Sequence, residues 1–420
     1  MDWGGFFLNR RSWFLFLLVL SFAFFLRGWR LSFPQEVYFD ETFYVPAAES
    51  YLQGTQDDNF CHPPLAKIQI AWGMVLGRAL GLSEAVGWRF TGLILGVAIV
   101  ALSYLLAYRL SGGDTSLALL TSFLVSADFM EIVLSRICIL DIILAFWTLL
   151  GTYFSWLYIE KKEFRWALFS ALAFAVSIAC KWNGLFCAFT AWLLMSLLGG
   201  EVRWQKFVKL ALLFVAAWLG VYVLSFGPRF CHSGFTLETC QDIYRDHLRM
   251  IEFRYDVQQF NHRYMSQFWS WPLVLRPIWF YYEEYGEGLS KLISGICCLG
   301  SPVLWWPGLA FLLELFYSGW QKREAKFIFI GASWLGQWIF WAVSTTGGFI
   351  YYVICGVPFI SLAMAWVISD WLKSGNKATV ITYLTVLSVA LVAYYPLLVA
   401  IPVPVRWFRL VFPFFLKTWM

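Results

Sequence analysis

In a chain of 420 residues that is 60% hydrophobic, 20% aromatic and only 14% charged, the apolar surface exceeds what one soluble core encloses, and the charges fall in short clusters between long apolar runs. This excludes a soluble globular domain and predicts an all-α polytopic membrane protein in one membrane domain, residues 1–420. The net charge of +5 lies mostly in connecting loops, where it reports orientation and implies no nucleic-acid partner.

Arg10-Arg11 precede an apolar run, Ser12 to Leu26, with no small-residue cleavage pattern after it, so it reads as a retained first helix. Further runs predict spans at residues 88–109, 115–132, 137–159, 166–180, 184–200, 207–226, 292–319, 327–344, 349–372 and 379–400, which with the first helix at 12–31 makes about eleven. Ile68 to Leu82 has helical spacing but is short and carries Arg78, and it either lies in the interface or crosses. Taken as interfacial, it leaves Arg10-Arg11, Arg109, Lys161-Lys162-Arg165, Arg203-Lys206, Lys322-Arg323-Lys326 and Lys373-Lys377 on one side, the cytoplasmic one by the positive-inside rule.

The opposite face then receives the first outer loop (residues 32–87), the turns Glu131 to Arg136 and Lys181-Trp182-Asn183, a long segment at 227–290, and Thr345-Thr346-Gly347-Gly348. Almost every chemically interesting residue lands there, which points to an extracytoplasmic active site. A transporter, the reading of a different class, would carry its polar groups near mid-membrane. The first outer loop predicts two helices on the membrane surface, one regular from Pro46 and one opened by Pro63-Pro64. Residues 401–420 mix Arg406, Arg409 and Lys417 with Trp407, Phe408, Phe412, Phe414, Phe415 and Trp419, as an interfacial anchor would.

Asp40 and Glu41 are adjacent carboxylates beside a bilayer, flanked by Phe39, Phe43 and Tyr44, where partial desolvation raises a carboxyl toward a useful base; solvated surface charges are the plainer reading. Arg136 either snorkels or binds phosphate, and Asp141, inside a span at a cost of about 3 kcal/mol, needs a partner. Lys181 sits on a short outer turn where lysine is unusual, and either holds an anion or anchors the interface with Trp182. The four histidines, His62, His232, His247 and His262, show no metal-ligand spacing; a metal at His62 with a later histidine is the weaker reading, and hydrogen bonding to phosphate or plain exposure the stronger. In His262-Arg263-Tyr264 and Trp269 to Pro272 aromatics interleave with cations, which suits an interface as well as a sugar phosphate. Ser301-Pro302 and Trp305-Trp306 read as a distorted helix start. Six of the nine cysteines lie in or beside apolar runs, whereas Cys231 and Cys240 flank a polar loop and are either bridged or free.

Phe39-Asp40-Glu41, His62-Pro63-Pro64-Leu65-Ala66-Lys67, Ser135-Arg136 with Asp141, Lys181-Trp182-Asn183-Gly184, His262-Arg263-Tyr264 with Trp271-Pro272, and Ser301-Pro302 with Trp305-Trp306 stand in one order. The set resembles the dolichyl-phosphate-mannose protein mannosyltransferase family. That resemblance implies a GT-C glycosyltransferase fold and inverting transfer of a sugar, expected to be mannose, from a polyprenyl phosphate to Ser/Thr hydroxyls of an acceptor protein. It nominates Asp40, with Glu41 beside it, as catalytic, and Arg136 as the carrier-side arginine. Lys181 and His262 are further candidates for the donor phosphate, with His62, Lys67, Asp141, Arg263 and Tyr264 in support. No cofactor is expected beyond the lipid-linked donor. The beta-trefoil domain of eukaryotic members is missing, as in bacterial ones, which suggests a bacterial inner or plasma membrane; Ser301 stands where asparagine is usual. Related enzymes on this scaffold glycosylate lipids or polysaccharides, which is the alternative acceptor class.

Overall fold

Apolar runs this long have nowhere to satisfy their backbone in lipid except within themselves, so they fold as helices. The computed structural model describes residues 10–257, 262–343 and 347–411, and it is mostly helical. Asn261, Thr345-Thr346 and, from the expected anchor, Phe412, Phe414, Phe415, Lys417 and Trp419 lie outside the described residues.

Helix α1 (Arg10–Gly28) leads through a linker to α2 (Glu41–Gln53), α3 (Leu65–Ala79) and α4 (Glu84–Leu110). There follow α5 (Thr115–Ser126), α6 (Phe129–Leu134), α7 (Leu140–Lys161), α8 (Phe164–Cys180), α9 (Gly184–Leu198), α10 (Trp204–Ser225), α11 (Gly227–Ser233) and α12 (Leu237–Val257). After β1 (Ile278–Tyr285) and β2 (Leu292–Cys298) come α13 (Pro302–Lys322), α14 (Ala325–Trp338), α15 (Val357–Lys373), α16 (Lys377–Tyr394), β3 (Val403–Pro404) and α17 (Val405–Val411). Seven helical stretches among the described residues are long and apolar enough to cross a membrane, and α5, α8 and α9 are shorter apolar helices. These helices do not by themselves establish the eleven spans expected: α8 and α9 cover the expected 166–180 and 184–200 as shorter helices, and the expected spans 115–132 and 292–319 are interrupted.

The expected span 115–132 is divided at Ala127-Asp128, where the Asp128 carboxylate caps α6 through the N–H groups of Met130 and Glu131. The same carboxylate accepts from Trp305 Nε1 at 2.7 Å and from Ser301 N–H at 3.3 Å, so Ser301-Pro302 and Trp305 do serve structure. Glu131, expected on an outer turn, is fully buried in α6. The expected span 292–319 is a second correction: Leu292–Cys298 is a strand, and helix begins only at Pro302. β2 pairs antiparallel with β1 (Ile278↔Cys298 through Tyr285↔Leu292, with a register shift between Trp279 and Tyr281) and with β3 on its other edge.

Both helices expected in the first loop are present. The first starts at Glu41 rather than Pro46, and leaves Phe43 exposed while burying Ser50. The second is capped at Pro64 as expected. It lies on α4 through glycines: a Cβ on Gly77 would stand 2.8 Å from the Cα of Gly87, and one on Gly73 would collide with Thr91. The helices differ sharply in enclosure. The apolar window of the α15 stretch is 83% buried and that of α7 67%, against 6% for α10, so α7 and α15 form the centre and α10 presents its sides to the surroundings. Cys231 on α11 and Cys240 on α12 are exposed free thiols.

Candidate active site

The linker between α1 and α2 is held from below by two buried arginines. Arg136, just after α6, donates to the carbonyls of Arg27 (2.7 Å), Trp29 (2.6 Å) and Arg30 (3.2 Å), meeting the orphan acceptors at the end of α1. Arg89, near the start of α4, donates to the carbonyls of Leu31 (2.9 Å), Pro34 (2.7 Å) and Glu36 (3.3 Å). It also makes a bidentate pair with Glu41, 2.8 Å to each carboxylate oxygen. Glu41 is fully buried and accepts in addition from the backbone N–H of Cys138 at 2.9 Å. Both carboxylate oxygens of Glu41 thus meet structural partners, and the two terminal guanidinium nitrogens of Arg136, the residue expected on the carrier side, lie on backbone carbonyls.

Asp40 is the counterpart. Phe39 before it takes a left-handed conformation (φ 52°) and stacks on Phe280 of β1 with ring centroids 4.1 Å apart, which turns the chain sharply into α2. The Asp40 carboxyl stands at the helix start without making a cap hydrogen bond, and it has no hydrogen-bond partner among the described residues. Burial pushes it up to about 7; nearby Lys181 opposes that rise and Asp141 adds to it.

Lys181 and Asp141 pair with each other. The ammonium of Lys181, at the end of α8, lies 2.8 Å from both carboxylate oxygens of Asp141 in the first turn of α7, and both groups are buried. Two of its three N–H groups are thereby used. It also lies 4.8 Å from the ring centroid of Tyr352 and 5.7 Å from that of Tyr351, both in the 3-10 turn Ile350–Gly356. Trp182, the next residue, donates to the Tyr222 hydroxyl of α10 at 3.1 Å, and that hydroxyl lies 2.9 Å from His247 Nε2 on α12.

The remaining expected residues are spread around this centre. His262 is exposed, its ring edge-on to Phe349, which stacks on Tyr351; it stands two rings away from Lys181. Arg263 is exposed with its guanidinium over Tyr264, and its carbonyl accepts from Arg276. His62 lies against Tyr44, one helical turn after Asp40, with ring centroids 6.3 Å apart. Lys67 is buried in an ion pair with Asp57. No group of three or more His, Cys, Asp or Glu side chains among the described residues is placed to hold a metal ion, His62 included. Arg89, Tyr351 and Tyr352 were not singled out from the sequence. An arginine at the head of an apolar run is itself a signal; two tyrosines at a span end are not, since interfaces are rich in them.

Residues 17–227 match the family model described as dolichyl-phosphate-mannose-protein mannosyltransferase. The chain is 24% identical to a polyprenol-phosphate-mannose--protein mannosyltransferase of Mycobacterium tuberculosis, over 87% of this chain and 83% of the relative. It is 29% identical to a Candida albicans dolichyl-phosphate-mannose--protein mannosyltransferase over 52% of this chain and 28% of that one. In fold it is similar to the S. cerevisiae protein O-mannosyltransferase Pmt1-Pmt2 complex bound to the sugar donor, with TM-score 0.78 at 15% identity, covering 99% of this chain and 93% of that one. It is also similar to ArnT of Cupriavidus metallidurans bound to undecaprenyl phosphate (TM-score 0.59, 18% identity, 92% and 64% covered). With half of its length under the family model and a GT-C glycosyltransferase fold, the chain belongs to the dolichyl-phosphate-mannose-protein mannosyltransferase family.

Proposed function

We propose that the chain transfers mannose from a polyprenyl phosphate to Ser/Thr hydroxyls of an acceptor protein at the extracytoplasmic face of the membrane, with inversion at the anomeric carbon. One observation carries the reading: Asp40, a carboxyl at the start of α2 without a hydrogen-bond partner and raised to about 7 by burial, lies within the electrostatic reach of a buried lysine that is fixed by an aspartate. A polyprenyl phosphate is already a good leaving group, so a single base suffices. Asp40 takes the proton of the acceptor hydroxyl; the oxygen attacks the anomeric carbon as the bond to the phosphate oxygen breaks. The charge gained by the departing phosphate is met by Lys181, whose third N–H is not spent on Asp141. His262, at the exposed rim, is a secondary phosphate contact. Glu41, Arg89 and Arg136 act through the linker as positioning residues.

The names of the relatives favour a protein acceptor over the lipid, polysaccharide and transport alternatives. The test is transfer of radiolabelled mannose from polyprenyl-phosphate mannose to a Ser/Thr-rich peptide by the purified chain, beside Asp40→Asn. Label on the peptide that falls by about 10²- to 10⁴-fold in the variant while donor binding persists supports the assignment. Donor consumed without peptide label refutes the acceptor, and donor neither bound nor consumed refutes the reaction.

A further inference from the structure

Eight of the 21 residues of α12 are charged, so the helix is too polar to span a bilayer, yet it carries an apolar stripe. Leu237, Tyr244, Leu248 and Ile251 follow one another at spacings of seven, four and three residues and therefore share one face. Each is between 41% and 76% exposed, and the roles given above to Asp40 and Lys181 do not use them. The opposite face is the packed one: Thr239, Asp246 and Met250 are buried, and Asp246 pairs with Arg229 of α11.

The neighbours of α12 locate the stripe. His247 borders it, three residues after Tyr244 and four before Ile251. Its Nε2 lies 2.9 Å from the Tyr222 hydroxyl and its ring centroid 5.5 Å from that of Phe226, both at the C-terminal end of α10. The apolar window of α10 is only 6% buried, and Leu219, Val223 and Leu224 stay exposed up to its last turn. A span this bare has lipid around it, so α12 lies at the depth where that lipid-facing surface ends, and the stripe continues it. Across the helix, Arg249 and Phe253 meet Phe60 of the segment between α2 and α3, and Glu238, Arg245 and Glu252 are exposed between that side and the stripe. An apolar side next to the membrane and a charged side away from it is the pattern of a helix lying in the interface plane. The helix has five acidic residues to three arginines, so apolar burial, not attraction to anionic headgroups, holds it there.

We propose that α12 lies in the bilayer interface at the C-terminal end of α10, with Leu237, Tyr244, Leu248 and Ile251 sunk at the boundary of headgroups and acyl chains. This lipid contact is separate from the catalytic carboxylate and stands independently of the transfer reaction. It also sets a level for the site. Asp246 and Met250 of α12 wall, with His62 and Lys67, a cavity of about 180 Å³, which then opens at headgroup depth. Through Tyr222, His247 holds the Trp182 indole beside Lys181 at the same level.

The experiment uses the full chain in phosphatidylcholine nanodiscs, with the three cysteines that are not buried, Cys61, Cys231 and Cys240, replaced by serine. A nitroxide is attached to single cysteines on the stripe (Tyr244→Cys, Leu248→Cys, Ile251→Cys) and on the charged side (Glu238→Cys, Arg245→Cys, Glu252→Cys). All six positions are exposed, so these substitutions leave the packing untouched. Collision with oxygen, which concentrates among acyl chains, is compared with collision with a water-soluble nickel chelate. The oxygen-to-chelate ratio is expected to be several-fold higher on the stripe than on the charged side, and unchanged when anionic phosphatidylglycerol is mixed in. Equal access of the chelate to both sides would overturn the proposal. So would a stripe closed to both agents with spin–spin broadening, which would assign it to a second copy of the chain. A high ratio seen only with anionic lipid would overturn the apolar basis of the contact.

Discussion

Adjacent carboxylates, Asp40 and Glu41, have opposite fates because their surroundings differ. Glu41 points into the protein and meets Arg89 and a backbone N–H, whereas Asp40 is desolvated without a partner. A base must be deprotonated to act, so activity follows the charged form. With Asp40 raised to about 7, kcat/KM is expected to rise with pH up to about 7 and to level above it, falling about tenfold per unit on the acid side. A pH profile in detergent checks this; a flat profile between pH 5 and 8, a range on the order of the ordinary enzyme window, would remove Asp40 as the base. Lys181 and Asp141 form the second residue-scale device. Lys181→Met leaves Asp141 buried and uncompensated, at about 3–5 kcal/mol. Adding Asp141→Asn is expected to recover most of that stability in thermal unfolding while donor binding stays lost, which separates the phosphate role from the structural one.

At the scale of elements, the α1–α2 linker owes its course to carbonyls taken by Arg89 and Arg136 rather than to regular structure of its own. The N-terminal end of α2, and Asp40 with it, is thereby tied to α4 and α6. The helix α3 is positioned differently, by close approach: Gly73 and Gly77 let its backbone touch α4 at Thr91 and Gly87. Gly77→Leu is expected to force the two helices apart and lower stability by about 1–3 kcal/mol, read from detergent unfolding midpoints, with a larger loss of activity because Lys67 and His62 ride on the start of α3. An unchanged midpoint would show that the contact does not set the helix position. The sheet β1–β2–β3 supplies Phe280 behind Phe39, giving the left-handed turn at Phe39 a wall to rest on.

For the whole molecule, enclosure runs opposite to what apolarity alone suggests: α10, among the most apolar stretches, is almost unburied, while the α7 and α15 centre carries the polar groups. This is the arrangement of a protein whose surroundings are lipid, where polar side chains turn inward to find partners. By the positive-inside rule the Lys and Arg clusters are expected to leave the Asp40 side facing outward, an orientation that labelling tests. Cys231 and Cys240 are exposed on that side, so a membrane-impermeant maleimide is expected to label intact cells after mild reduction, and the Cys231→Ser/Cys240→Ser double variant is expected to escape. Labelling only after the cells are opened would reverse the orientation.

The sequence by itself determined the membrane class, the helical character, the two short helices of the first loop and the family, because hydrophobic length, proline position and ordered motifs are local properties. It also gathered Asp40, Lys181 and Asp141 as candidates, through unusual charges beside apolar runs. Which of Asp40 and Glu41 is free, that Lys181 and Asp141 pair with each other, and that Arg136 holds backbone carbonyls were decided by tertiary structure. These are contacts between residues far apart in the chain, and a side chain's spare hydrogen-bonding capacity exists only once its neighbours have been brought to it. The strand at Leu292–Cys298 escaped for a related reason: a short buried apolar run reads alike as strand or helix until a partner strand, here β1, takes up its backbone.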